Sequence, residues 1–288
     1  MPYIEVRGVD HYYQWITESG DECPSGKPVM VFLHGWAGSA RYWESTAQAL
    51  VDSFDCLLYD LRGFGRTRLP KVSSLIELTY ELESYAEDLD TLLTLLNLQR
   101  IYLNAHSTGA SIATFFLNLY PQRVERAILT CMGIFEYDEK SFKAFHKFGG
   151  YVVKFRPTWL LHVPFLDHLF MARFLRRSLT GTYRNRAFLE DFLMADYEAA
   201  LGTIYTSVSK RAAEVLPQEF VKLQVPTLLI SGEHDKIIPP EMGRQAAVLN
   251  PKVEFWMMPD TAHFPMLEDP ETYLQQIRQF LGKLQQVS

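Results

Sequence analysis

Cysteine is scarce in this chain of 288 residues: only Cys23, Cys56 and Cys131, far apart and without CxxC spacing. That excludes a disulfide framework and a thiolate zinc site as organising devices. Cys56 and Cys131 lie in apolar strand-like runs and read as core fillers rather than nucleophiles. Long hydrophobic runs are missing too. No uncharged stretch approaches the roughly 20 residues that cross a bilayer. The first residues, Met1-Pro2-Tyr3-Ile4-Glu5-Val6-Arg7, lack the basic-then-apolar shape of a secretory signal. These absences predict a reducing, cytoplasmic setting. Basic charge is in deficit, 28 Lys+Arg against 34 Asp+Glu, and a net charge of −6 removes the electrostatic case for a nucleic-acid partner. Internal repeats and low-complexity segments are absent as well.

What is present is an alternation of strand-like and helix-like segments. Glu5–Val9 and His11–Thr17 read as a hairpin. Val29–Leu33 and Cys56–Tyr59 are short, continuous apolar runs of the buried-strand kind, Ile101–Asn104 and Ala127–Cys131 read as further buried strands, and Val225–Ile230 and Val253–Met258 continue the pattern later in the chain. Between 82 and 96, Leu82, Tyr85, Ala86, Leu89, Leu92, Leu93 and Leu96 fall on one helical stripe. Such alternation predicts an α/β fold with a doubly wound, mostly parallel sheet, and functional residues at the C-terminal ends of its strands.

The pattern breaks from about Gly133 and resumes near Val225. The expected organisation is a core of 1–132 and 219–288 with a helical cap lobe, 133–218, inserted. Residues 140–186 carry ten Lys/Arg and one acid, Asp167, a local charge of +9 on a chain that is otherwise −15. The same lobe is dense in aromatics, among them Phe142, Phe145, Phe148, Tyr151, Phe155, Trp159, Phe165, Phe170 and Phe174.

The chemistry concentrates at three strand exits. Ser107 sits in Ala105-His106-Ser107-Thr108-Gly109, between the Ile101–Asn104 strand and a helical run that Pro121 ends. Small residues two positions to either side permit a sharp strand–turn–helix corner with the hydroxyl pushed out over the sheet. A serine needs a neighbouring base, oriented by a third group. Asp235 follows the Val225–Ile230 strand and His263 follows Val253–Met258. Singly these are a turn aspartate and a loop histidine. Together, in the order Ser107, Asp235, His263, they match one of three chain orders known for a nucleophile–base–acid set. Negative charge developing on a carbonyl oxygen needs two fixed N–H donors. The candidates are the backbone N–H of Thr108, at a helix N-terminus, and that of Trp36 in the turn His34-Gly35-Trp36. His34 is expected to bond the loop backbone, and His106 to point away from Ser107 and pack or bond locally.

On these segments, with Trp43, Asp60-Leu61-Arg62-Gly63-Phe64-Gly65 and Gly232-Glu233-His234-Asp235, the chain resembles the α/β-hydrolase fold superfamily with a cap lobe over nearly its whole length. The resemblance implies a cofactor-free Ser–His–Asp hydrolase. Ala105 stands where that family's elbow more often has glycine. A serine nucleophile separates the chain from the dehalogenase and epoxide-hydrolase branches, which attack with aspartate. Because some relatives carry the acid after the preceding strand, Asp138 is the alternative to Asp235. The leading expectation is hydrolysis of a small-molecule carboxylic ester through an acyl-enzyme. Alternatives on the same residues are a carbon–carbon bond hydrolase, a perhydrolase and a thioesterase, and, from another class, a hydrolase-like ligand receptor.

The lobe adds one further expectation. Lys140, Lys143, Lys147 and Lys154 share one helical arc, with Phe142, Phe145, Val152 and Phe155 on another. A basic amphipathic helix of this kind suits peripheral contact with an anionic membrane surface. The plainer alternative is a solvated lysine face with the aromatics lining a pocket.

Overall fold

The computed structural model describes residues 3–70, 78–177, 179 and 185–282. Met1, Pro2 and Arg184 of the basic stretch lie outside them. Two short strands come first, β1 (Tyr3–Val6) and β2 (Val9–Ile16). Val9, expected to end the first strand, opens the second, since their turn is Arg7-Gly8, both at positive φ (49° and 80°). That is the backbone of a two-residue primed turn, whose twist matches paired strands. Next come β3 (Val29–Leu33), α1 (Glu44–Gln48), β4 (Asp55–Tyr59), α2 (Leu82–Leu95), β5 (Ile101–His106), α3 (Thr108–Leu119) and β6 (Val124–Thr130).

A helical stretch follows: α4 (Glu139–Lys154), α5 (Leu166–Met171), α6 (Asn185–Met194), α7 (Tyr197–Ser207) and α8 (Lys210–Lys222). The sheet resumes with β7 (Thr227–Gly232), α9 (Pro240–Val248) and β8 (Val253–Met258), and the described chain closes with α10 (Pro265–Glu268) and α11 (Pro270–Gly282). The eight strands run in the order β1-β2-β4-β3-β5-β6-β7-β8, antiparallel at β1–β2 and β2–β4 and parallel from β4 onward. This is a doubly wound, mostly parallel sheet with a helical insertion between β6 and β7.

Period-two alternation divides the apolar strand residues between two helical layers. Val31, Leu33, Leu57, Leu103 and Leu129 face α2, α3 and α8, while Met30, Phe32, Cys56, Leu58 and Ile230 face α1 and α11. Both faces are covered, so the strands read as unbroken apolar runs. β7 begins at Thr227 rather than Val225 because Pro226 has no N–H for the ladder, although its carbonyl accepts from Ala127 N–H at 3.1 Å. Leu216 and Phe220 of α8 join the first layer beneath the sheet, so position 218 falls inside a helix of that layer. The helices α4–α7 form the lobe proper. α7 seats it on the core, where a Cβ on Gly63 would lie 2.2 Å from Ala199 Cβ. Among the described residues no helix is long and apolar enough to cross a membrane.

Candidate active site

Ser107 occupies the corner between β5 and α3 at φ 53°, ψ −123°, a region that side-chain-bearing residues rarely adopt. The corner is held from several sides. Ser107 N–H donates to Thr130 O at 2.8 Å. A Cβ on Gly109 would lie 2.4 Å from His34 O, so only glycine lets α3 start this close to the end of β3. Ala105 is fully buried in the strand, where its methyl group is accommodated.

At the next two strand exits, a Cβ on Gly232 would meet Ala262 O at 1.9 Å. That close approach brings the loops of Asp235 and His263 together. His263 Nδ1–H donates to Asp235 Oδ2 at 2.7 Å, and Ser107 Oγ–H donates to His263 Nε2 at 3.1 Å. Asp235 Oδ1 accepts from the N–H groups of Ile237 and Ile238 at 2.8 and 3.1 Å, which fixes the carboxylate. All three residues are buried. Asp138 is elsewhere: exposed, it caps α4 by accepting from Ser141 N–H at 2.9 Å.

Thr108 opens α3, so its N–H is among those without an intrahelical partner. The loop carrying Trp36 abuts the serine, since a Cβ on Gly35 would come 3.1 Å from Ser107 Cβ. The Trp36 ring turns toward the lobe and donates to Ala200 O at 2.9 Å. His34 bonds backbone as expected: Nδ1–H donates to Gly35 O at 2.8 Å and Nε2 accepts from Leu61 N–H at 2.8 Å. It thereby ties this loop to the Asp60–Gly65 turn, where Asp60 accepts from Ala40 and Arg66 N–H, each at 2.7 Å.

Three residues that hold the site were not legible in the motifs. His106 does not bond only locally. It faces Tyr42, whose hydroxyl accepts from Gly35 N–H and donates to His106 Nδ1 at 3.0 Å; Nε2–H then donates to the backbone carbonyl of His263 at 2.7 Å. Burial pushes this imidazole well below the ordinary histidine value, so it stays neutral. The third is Glu268, buried in α10. Its Oε1 accepts from Ala262 N–H at 2.8 Å, and its Oε2 from Arg176 and Arg177 N–H at 2.6 and 2.8 Å. His263 N–H donates to Phe174 O at 2.9 Å, so the segment after α5 is fastened directly over the histidine. These partners lie up to 157 residues apart in sequence, and no local pattern announces them.

His106, Cys131 and His263 bring potential metal-ligand atoms within 4.8 Å of one another. Their donor set does not suit a cation. Both nitrogens of each ring are engaged by protein partners, the Cys131 thiol donates to Ala262 O, and burial pushes that thiol well above the ordinary cysteine range.

Across the lobe, an apolar hollow of about 390 Å³ lies between α4 and α6, with Tyr151, Phe155, Phe170, Leu189 and Phe192 in its wall. The Phe170 ring lies 6.0 Å from that of Phe174, tilted 38° to it, and the Phe174 centroid is 6.0 Å from that of His263. An aromatic path therefore connects the hollow to the histidine.

The fold of this chain recurs in known proteins. At 22% identity, the chain is similar to an uncharacterized hydrolase, YugF, of Bacillus subtilis, over 96% of each. In solved structures it superposes on a putative lipase of Acinetobacter baumannii with a TM-score of 0.80, at 20% identity over 99% of this chain and 92% of the other. A thermophilic esterase of Thermogutta terrifontis gives a TM-score of 0.74 at 24% identity over 98% and 99%. Residues 28–270 match the model of the alpha/beta hydrolase fold, a span from β3 into α11 that includes Ser107, Asp235 and His263, and the chain belongs to that family.

Proposed function

We propose that the protein hydrolyses a carboxylic ester through an acyl-enzyme. The observation that carries this reading is the unbroken hydrogen-bond chain from Ser107 Oγ through His263 to Asp235, at 3.1 and 2.7 Å, with the serine on a positive-φ corner. Ser107 Oγ attacks the ester carbonyl as His263 Nε2 takes its proton. Asp235 holds the imidazole in the tautomer that leaves Nε2 free to accept, and it stabilises the imidazolium that forms. The oxyanion is met by the backbone N–H groups of Thr108 and Trp36. Collapse expels the alcohol, which leaves with the proton from His263. A water then attacks the acyl-enzyme, His263 taking its proton and returning one to Ser107.

Support for an ester comes from chains of like fold, an esterase and a putative lipase. The apolar hollow and its aromatic path to His263 favour a lipophilic acyl group. The test is a series of p-nitrophenyl esters from acetyl to palmitoyl, run beside a thioester and a vinylogous keto acid. Esters should be turned over steadily with release of both products, which a receptor would not do. Ser107→Ala should lower kcat by roughly a millionfold, His263→Ala should reach the same floor, and Asp235→Asn should cost roughly 10⁴-fold. Turnover of the thioester or keto acid but of no ester would overturn the bond assignment. Near wild-type activity in Ser107→Ala would overturn the nucleophile.

A further inference from the structure

Beyond the Ser107 site, the outer face of α4 and the segment that follows it is unlike an ordinary soluble surface. Phe165, Leu169 and Phe148 are 81%, 73% and 71% exposed, and Phe155 and Trp159 lie between them in sequence, also exposed. Phe165 also has a left-handed backbone, φ 60°, a conformation that non-glycine residues seldom carry.

The inner face of α4 already has its partners. Phe142 and Val153 are buried, Gly149 meets Ile204 of α7, and His146 bonds Val208 O. At 100° per residue, Phe148, Tyr151 and Phe155 share the arc next to that of Lys140, Lys143, Lys147 and Lys154, and all seven are exposed. Lys143 pairs with Glu139, whereas Lys140, Lys147 and Lys154 make no ion pair among the described residues. Aromatics flanked by lysines on one outward helix face are the pattern of a helix that lies in a lipid interface. Large apolar side chains left this exposed along one helix and the segment after it suit an interaction site.

We propose that this face docks on an anionic lipid bilayer, with the aromatics entering the boundary between headgroups and acyl chains and the lysines meeting the headgroups. Charge selects this occupant. A second copy of the chain would set lysine against lysine across a two-fold contact, whereas an anionic surface neutralises the row.

The experiment uses the full chain and extruded phosphatidylcholine vesicles with and without phosphatidylserine, separated by flotation. The protein should float with the phosphatidylserine vesicles at low salt and be released as salt screens the charges. Changing Lys140, Lys143, Lys147 and Lys154 together to Gln should weaken binding roughly 600-fold, about fivefold for each lysine. Phe148→Ser with Phe165→Ser should weaken it as well, at an unchanged melting temperature. Trp159 fluorescence should shift to the blue on binding, and the shift should vanish in Trp159→Phe.

Ser107→Ala should float as wild type does, so docking and ester hydrolysis stand or fall separately. The inference is overturned if wild type stays unbound at low salt, or if binding survives both the lysine and the aromatic variants. It is overturned equally if the protein is a dimer in solution that Phe148→Ser with Phe165→Ser makes monomeric.

Discussion

Around His263 the side chains are covered and their polar atoms engaged; on the outer face of α4 large aromatics stand in solvent and three lysines have no ionic partner among the described residues. The basic stretch that looks uniform in sequence divides along the same line. Four of its arginines tie lobe to core or one part of the lobe to another: Arg176 and Arg177 pair with Asp260, Arg177 also with Asp269, Arg156 donates to Phe192 O and Arg186 to Leu161 O. Its lysines face water from α4. Planar guanidinium forks suit bridging contacts, and compact ammonium heads on flexible stems suit a diffuse anionic surface. One compositional feature thus serves two purposes: fastening the lobe over His263, and presenting its far side to something else.

The sharpest way to break the fastening is Glu268→Ala. It leaves the buried N–H of Ala262 unpaired, frees those of Arg176 and Arg177, and opens a cavity under the His263 loop. With roughly 1–3 kcal/mol for each unsatisfied buried donor and a further term for the cavity, stability should fall by about 4 kcal/mol. Because the His263 backbone loses its support, kcat should fall more than KM rises. Urea denaturation together with ester kinetics checks both, and a variant with wild-type stability would show that Glu268 does not hold the loop.

A pair of substitutions on one helix tests the two sides of the lobe against each other. Phe142 is buried beneath α4 against Phe135 and Tyr137, while Phe148, less than two turns on, is in solvent. Phe142→Ala should cost about 3 kcal/mol, and Phe148→Ala should stay within about 0.5 kcal/mol of wild type. Equal losses in thermal or urea unfolding would mean that α4 packs by a different face.

How much of this is legible in the sequence follows the range of the interaction. Val29–Leu33 can be read to the residue because burial and pairing act on the same short apolar run, and Val253–Met258 is read as closely although it is an edge strand with Glu254 and Met257 exposed. Ser107, Asp235 and His263 are legible because strand exits are local features and their order is restricted. The face of α4 is not. Periodicity puts Phe142, Phe145, Val152 and Phe155 on one stripe, yet the helix rests on α7 along a narrower line that buries Phe142 and Val153 and leaves Phe145 and Phe155 in solvent. A hydrophobic stripe identifies an amphipathic helix; which part of it is covered depends on what it meets. The links from Tyr42 to His106 and from His106 to His263 span 64 and 157 residues, and nothing near any of the three foretells them.

Those links yield the smallest expected effect and the most specific. His11, His34 and His106 are buried in the core, and in each case burial holds the imidazole below its ordinary value. The unfolded chain binds protons at these positions below about pH 6.5 while the folded chain does not, so stability is full above that pH and declines as the pH falls beneath it. For His106 the requirement is structural: a second ring proton would remove the acceptor at Nδ1 that the Tyr42 hydroxyl needs. His106→Gln deletes one such proton. Whatever it costs at neutral pH, its stability should fall less steeply between pH 6.5 and 5 than that of wild type, by up to about 1.4 kcal/mol per pH unit. Urea midpoints across that range supply the comparison. Parallel acid limbs would show that His106 takes up its proton without unfolding, and that its hold on the His263 backbone does not depend on the neutral ring.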